Sequence, residues 1–197
     1  MSTLVSQQIP TDDDVIALTR AWLEHVVIGL NLCPFAESVH RQQQVVYQVS
    51  QAKDETDLMN DLIAAIDGLI NADPKKTDTA LLIHPQALLK FEDYNEFIGW
   101  TEEFLKESEL EAVVQIASFH PDYRFAGTDA NDITHNTNRS PFPMLHLLRE
   151  ASVDAALVAL PEAAQLVEKN LDTLRALGKD GWDALIQRMH QAAKSNS

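Results

Sequence analysis

Two histidine-proline dipeptides stand where predicted strands end. His84 follows the apolar run 80–83, and His120 follows the run 112–119. Ligands of an open parallel sheet bind beyond the carboxyl ends of its strands, so both imidazoles are expected near one edge. Asp122 could orient the ring of His120 for acid–base catalysis. The alternative is that each proline only ends a strand and each histidine bonds a nearby carbonyl group, and we prefer it for His84.

A long segment without helical or strand periodicity runs from His120 to Ser140. Loops of this length are usually functional or disordered, and the aromatic and basic side chains in this one disfavour disorder. We therefore expect an ordered loop that covers a site for an anionic small molecule. The predicted catalytic residues are His120 and Asp122, and the predicted ligand-binding residues are Arg124, Asn138, Arg139, His146 and Arg149.

The segment after this loop has a strong helix-start signal. Ser140 precedes a proline, which predicts a helix from Pro141 to about Val158. On such a helix His146, Arg149 and Glu150 would share one face. Prolines at its start lack N–H groups, so an anion would depend on arginine side chains. The alternative is a capped helix whose charged residues form an ion-pair network that fixes the loop.

Cys33, the single cysteine, follows the first predicted helix. Its apolar neighbours Leu32 and Phe35 suggest a buried, inert thiol and not a nucleophile. The sequence has no phosphate-binding loop, no dinucleotide-binding glycine pattern and no zinc-ligand spacing, so no metal is predicted and no cofactor is assigned. A metal site could still form if side chains distant in the sequence met in the fold, although their spacing is no evidence for it. The candidate ligands are His84, His120, Asp122 and His146.

The periodic segments predict one domain over residues 11–192, with flexible ends at 1–10 and 193–197. The predicted class is α/β: a small three-stranded, parallel β-α-β-α-β sheet with flanking helices and a helical C-terminal third. The predicted strands are 44–49, 80–83 and 112–119. The predicted helices are 11–32, 58–69, 94–105, 141–158, 161–177 and 180–192.

Charge and composition limit the classes of partner. The chain has 15 Lys and Arg against 30 Asp and Glu, a net charge of −15. A phosphate backbone would be repelled, so no nucleic-acid partner is expected. No apolar run approaches the ~20 residues of a membrane span, and residues 1–10 lack the pattern of a secretion signal. We therefore expect a cytoplasmic protein without a membrane partner, and the sequence leaves its oligomeric state open.

Three blocks of mixed polarity resemble a known family. They are NLCPFA at 31–36, QIASFHPDYRFAG at 115–127 and NRSPFPMLHLLRE at 138–150. These blocks are similar to the marker blocks of the bacterial DUF1415 family, a domain of unknown function, and the resemblance extends from Trp22 to Trp182. It implies a stand-alone bacterial cytoplasmic protein, but no activity, cofactor or catalytic residue. Two functions therefore stay open: a small-molecule-binding enzyme with His120 as acid or base, and a non-catalytic protein-interaction module.

Overall fold

The structure, a computed structural model, describes residues 10–159 and 165–195. Its strands are β1 (Val45–Val49), β2 (Thr79–Ile83), β3 (Val114–Phe119) and β4 (Met144–Arg149). Its helices are α1 (Asp12–Trp22), α2 (Ala36–Arg41), α3 (Glu55–Asn71), α4 (Phe91–Glu107), α5 (Glu150–Ala159) and α6 (Leu166–Ser195), the last broken at Gly178. A π-helix, Leu23–Ile28, continues α1, and a 3-10 helix, Ile133–Thr137, lies between β3 and β4. The helix start predicted at Pro161 and most of the predicted flexible ends lie outside the described residues.

The described strands form one mixed sheet with the order β1-β2-β4-β3. β1 pairs with β2 in parallel, whereas β4 pairs antiparallel with both β2 and β3. β1, β2 and β3 therefore run in the same direction, and β4 runs against them. The α/β class is confirmed, but the predicted three-stranded parallel sheet is wrong because a fourth strand lies between β2 and β3.

β4 occupies the first half of the predicted helix from Pro141 to about Val158. The prediction of a helix is wrong for this half, since α5 begins only at Glu150. A short apolar run covered on both faces has no periodicity that separates a buried strand from a buried helix. The N–H of His84 donates to the carbonyl of Pro143 at 3.0 Å, which continues the pairing of β4 with β2. His146 and Glu150 consequently lie on different elements and share no helical face.

Each face of the sheet has its own core, because successive strand side chains point to opposite faces. Leu82 of β2 and Leu147 of β4 pack against α3 and α4 on one face. Leu81 and Ile83 pack on the other face, against α1, the π-helix, α2 and α6. Every residue of β2 is buried, as expected for a strand covered on both sides.

The π-helix ends at Gly29, where the chain passes close to its own preceding turn. The N–H of Gly29 donates to the carbonyl of Glu24 at 3.0 Å, which is the wide hydrogen bond of a π-turn. A Cβ atom at position 29 would lie 2.3 Å from the carbonyl oxygen of His25. Any side chain at this position would therefore displace the backbone that ends the π-helix.

Gly29→Ala is expected to lower the free energy of unfolding by about 1–3 kcal/mol, because the added methyl group overlaps the carbonyl of His25. The control is Gly68→Ala on the exposed side of α3, where an added Cβ meets no atom within 4 Å. Alanine favours a helix over glycine, so the control is expected to gain up to about 1 kcal/mol. Urea unfolding followed by circular dichroism measures both. A Gly29→Ala protein as stable as the wild type would refute the close approach.

Candidate functional site

A cavity of about 300 Å³ lies beside the sheet face that packs against α1 and the π-helix. Its floor includes Leu81, His146 and Ala117, which are direct neighbours across β2, β4 and β3. The π-helix, the turn at Cys33 and Phe35, α2 and α5 surround the floor. Side chains from these walls include Trp22, Val27, Phe35, Val39, Val153 and Ala156. The cavity is thus mainly apolar, with a single imidazole on its floor.

The imidazole of His146 is fixed by a short chain of hydrogen bonds. Its Nε2 lies 2.7 Å from Oγ1 of Thr79, and that hydroxyl lies 2.6 Å from the carbonyl oxygen of Leu147. A carbonyl can only accept, so the Thr79 hydroxyl donates its hydrogen to Leu147. Nε2 of His146 must then carry a hydrogen and donate it to Thr79. Burial lowers the pKa of His146 to about 4, so the ring is neutral at physiological pH.

The second nitrogen of His146 differs from the first. Within residues 10–159 and 165–195, no group forms a hydrogen bond with its Nδ1. Because Nε2 carries the hydrogen, Nδ1 has a free lone pair. The floor of the cavity therefore includes one hydrogen-bond acceptor.

Cys33 is partly buried and contributes to the cavity wall. Cys33 belongs to the NLCPFA block at 31–36, which follows the π-helix Leu23–Ile28 closely in the chain. π-turns occur often at functional sites, which fits their position over this cavity.

His84 and His120 lie at the same end of the sheet, as the sequence predicts. Each follows a strand whose last residue pairs with Met144 of β4. Both side chains are fully buried, and the ring of Tyr94 lies 5.8 Å from His84 and 5.1 Å from His120 between ring centroids. The Tyr94 hydroxyl accepts the N–H of Phe119 and donates to the carbonyl of Met144, each at 2.9 Å. This aromatic cluster fixes the ends of the strands.

Both ring nitrogens of His120 bond the backbone. Nε2 donates to the carbonyl of Leu88 at 3.1 Å, and Nδ1 accepts the N–H of Asp122 at 3.0 Å. Asp122 thus contacts the ring through its main chain, and its side chain is exposed. Burial lowers the pKa of His120, although the Leu88 carbonyl and the Asp122 charge oppose this. Its acid–base role stays a prediction that requires one of these two bonds to open.

His84 bonds the backbone through one nitrogen only. Its Nδ1 donates to the carbonyl of Ala87 at 3.0 Å. Its buried Nε2 has no hydrogen-bond partner in the described part of the chain. Burial lowers the pKa of His84 to about 4, so this ring also stays neutral. The preferred interpretation of His84, a histidine that satisfies a nearby carbonyl, agrees with this geometry.

A further histidine, which the sequence analysis does not single out, orders the 120–140 loop. His135 is fully buried. Its Nε2 donates to the carbonyl of Asp129 at 2.8 Å, and its Nδ1 accepts the N–H of Phe125 at 3.2 Å. Tyr123 packs edge-on against Phe125, with ring centroids 5.2 Å apart. Nothing in the polar run around His135 signals this role, because the histidine meets partners several residues away.

Asn138 closes the other end of the loop. Its Nδ2 donates to the carbonyl of Ser118 at 3.1 Å, and its own carbonyl accepts the N–H of His120 at 3.2 Å. The predicted ligand-binding side chain is therefore part of a link between the loop and β3.

Arg139 is partly buried against the same loop. Its Nε donates to the carbonyl of Tyr123 at 3.2 Å, and its own carbonyl accepts the indole N–H of Trp22 at 3.0 Å. Burial lowers the pKa of Arg139, while Asp122 opposes the shift and Arg124 adds to it. Arg124 itself is exposed. The known contacts of Arg139 are those of a loop clamp.

Arg149 bonds the C-terminal end of α3. Its guanidinium donates to the carbonyls of Leu69, Ala72 at 2.9 Å and Thr77 at 3.1 Å. Carbonyls at a helix end lack partners within the helix, and a positive charge there is favourable. Arg149 therefore joins β4 to α3 while its side chain also contributes to the cavity lining.

The predicted site residues fall into two groups. His146 and Arg149 line the cavity, whereas His120, Asp122, Arg124, Asn138 and Arg139 lie at the 120–140 loop and are not part of its lining. As far as the structure describes the chain, no three His, Cys, Asp or Glu side chains are arranged to hold a metal ion. No helix among the described residues is long and apolar enough to cross a membrane.

Comparison with known proteins assigns the family. The family model described as "Protein of unknown function (DUF1415)" matches residues 14–184, so the chain belongs to this family. No curated protein is significantly similar to the chain, and neither is any solved structure. The match covers the sheet and most of the surrounding helices, including every wall of the cavity.

Two neutral histidines, buried His84 and partly buried His146, predict loss of stability in acid. His84 and His146 have a pKa of about 4 in the folded chain against 6.5 when unfolded. The unfolded state therefore binds more protons between these values, and each histidine lowers the free energy of unfolding by up to about 1.4 kcal/mol per pH unit as the pH falls. Urea unfolding at several pH values measures the slope of the free energy of unfolding against pH. His146→Gln is expected to make the slope shallower than in the control His190→Gln, whose side chain is exposed; equal slopes would contradict a neutral His146.

Arg149→Met is expected to lower the free energy of unfolding by about 3 kcal/mol, because several carbonyls at the end of α3 lose a charged donor. The control is Arg175→Met on the exposed side of α6, where little change is expected. Thermal and urea unfolding measure both variants. Hydrogen exchange should show that the last turn of α3 loses protection, and unchanged exchange there would refute the capping role.

Proposed function

We propose that this member of the DUF1415 family binds a small, largely apolar molecule in the cavity between the sheet and the π-helix. The observation that carries the proposal is the cavity itself: about 300 Å³, mainly apolar walls and one neutral histidine on the floor. Ligand sites in proteins are typically concave and apolar, with a few polar groups that fix orientation.

The size of the cavity supports a binding role over a packing defect. Protein interiors are packed about as densely as organic crystals, and unfilled volume in a core destabilises a protein roughly in proportion to its size. This cavity opens to solvent at exposed residues such as Leu157 and Gln115, so it is not a void in a core, and its volume of about 300 Å³ lies at the lower end of the range for ligand pockets.

The choice of polar residue supports the same role. An apolar side chain at position 146 would pack between Leu81 and Ala117 without the desolvation cost of an imidazole. The structure instead places a histidine there, with Thr79 bonded to its Nε2. Buried titratable groups with shifted pKa values in a cavity are candidates for function.

The anion site predicted at the 120–140 loop has weaker support. Arg139 and Arg149 already donate to carbonyl groups of the protein, and Arg124 is exposed. Anion binding at the loop and the protein-interaction module both stay predictions, and neither is needed to explain a contact described above.

Xenon tests the cavity because it enters apolar cavities and needs no specific contact. We expect xenon to shift the methyl NMR signals of cavity residues such as Val27, Leu81 and Leu148, and to leave Leu62 and Leu82 in the opposite core unchanged. Shifts confined to the first group of methyl signals would show that xenon reaches a cavity on one face of the sheet only.

Two neighbouring alanines of α5 supply matched variants. Ala156→Leu should fill part of the cavity and abolish the xenon shifts, because Ala156 lines it. Ala155→Leu, the same change at an exposed position of the same helix, should leave the shifts intact. The proposal fails if the wild type shows no cavity shifts, or if the two variants respond alike.

A further inference from the structure

We propose that the ligand of this cavity is an uncharged molecule with an apolar body and one hydrogen-bond donor, a hydroxyl or N–H group, that pairs with Nδ1 of His146. This inference rests on the proposed function and adds the chemistry of the ligand. It follows from the direction of the hydrogen bonds on the cavity floor.

The direction is set by the Thr79 hydroxyl, which has only one hydrogen. If Thr79 donated to His146, its oxygen would face the carbonyl oxygen of Leu147 at 2.6 Å with no hydrogen between two acceptors. That arrangement is repulsive, so the hydrogen lies between Thr79 and Leu147. The hydrogen of the imidazole then lies on Nε2, and the group offered to a ligand is an acceptor. A ligand with only acceptor atoms would meet the lone pair of Nδ1 without a hydrogen bond.

Most other polar groups of the lining form hydrogen bonds within the protein. Asp78 accepts a hydrogen bond from Ser152 at 2.6 Å, and Arg149 donates to carbonyls at the end of α3. Gln115 is exposed at the cavity boundary, and the thiol of Cys33 is a weak donor and a weak acceptor. On the floor formed by Leu81, His146 and Ala117, Nδ1 of His146 is therefore the side-chain acceptor that has no partner among the described residues.

The same inventory disfavours an anionic ligand. An ion that enters an apolar cavity loses its hydration, and it needs an opposite charge in direct contact to recover that loss. The ring of His146 is neutral and the charge of Arg149 is bonded to carbonyl groups, so the lining has no free positive charge for an anion; the carboxylate of Asp78, which accepts the Ser152 hydroxyl, would repel one. An uncharged donor pays a smaller desolvation cost and gains a hydrogen bond with Nδ1.

Phenol, toluene and anisole are suitable probes because they share a ring but present a donor, a methyl group and an acceptor, respectively. We expect phenol to shift the imidazole ¹⁵N signal of Nδ1 in wild-type His146, and toluene and anisole to leave it nearly unchanged. The spectrum without probe should show the hydrogen on Nε2. A hydrogen on Nδ1 instead would overturn the inference directly.

His146→Phe removes the acceptor and keeps an aromatic ring on the cavity floor. The ratio of phenol to toluene affinity is expected to fall about fivefold in this variant, the loss of one ordinary hydrogen bond. Toluene should bind the variant at least as well as the wild type. The ¹⁵N measurement uses the wild type, so it decides the question even if the variant folds poorly.

The outcomes separate this inference from the proposed function. If toluene and phenol both bind, but phenol leaves the Nδ1 signal unchanged and the affinity ratio does not depend on His146, the ligand chemistry is wrong and cavity binding stands. If xenon, toluene and phenol all fail to perturb the cavity, the proposed function fails together with the inference. A phenol-specific Nδ1 shift that Ala156→Leu abolishes and Ala155→Leu retains would support both.

Discussion

β4 supplies hydrogen bonds to two strands that run against it, and among the described strands it alone connects β2 to β3. This pairing places His146 between Leu81 and Ala117, which creates the floor of the cavity. It also puts Arg149 within reach of the end of α3 and starts α5 at Glu150 over the cavity. The site and both cores therefore depend on the register of one short strand.

Imidazoles that are buried or partly buried recur in this molecule, and most of them stabilise irregular backbone. His120 and His135 each accept one backbone N–H and donate to one carbonyl, so each ring connects two segments that no strand or helix joins. His146 uses the same chemistry differently, since it bonds a side chain and keeps a free acceptor. His84 also has one nitrogen without a partner, but it lies in the aromatic cluster at the strand ends, whereas His146 lines the cavity.

The sequence predicts the local elements well and the long-range pairing poorly. The alternation at Val45–Val49 and the helical spacing in α3 each depend on neighbours within one element, and both elements form as predicted. The run at Met144–Arg149 is apolar on both sides, so its pattern fits a helix as well as a strand until β2 and β3 are known to flank it. The sequence does not reveal the cavity for the same reason: its pattern puts His146 on a helical face, whereas the bond of His146 to Thr79 joins residues far apart in the chain.

The position of β4 late in the chain has a consequence for how the protein folds. β2 and β3 are made first, but they cannot complete their hydrogen bonds until residue 149 is available. In the interval, one side of β2 and the inner side of β3 are open strand edges, which can pair with other chains. Contacts between strands far apart in sequence also slow folding. A chain that lacks residues after the 120–140 loop would therefore expose strand edges that β4 covers in the folded protein.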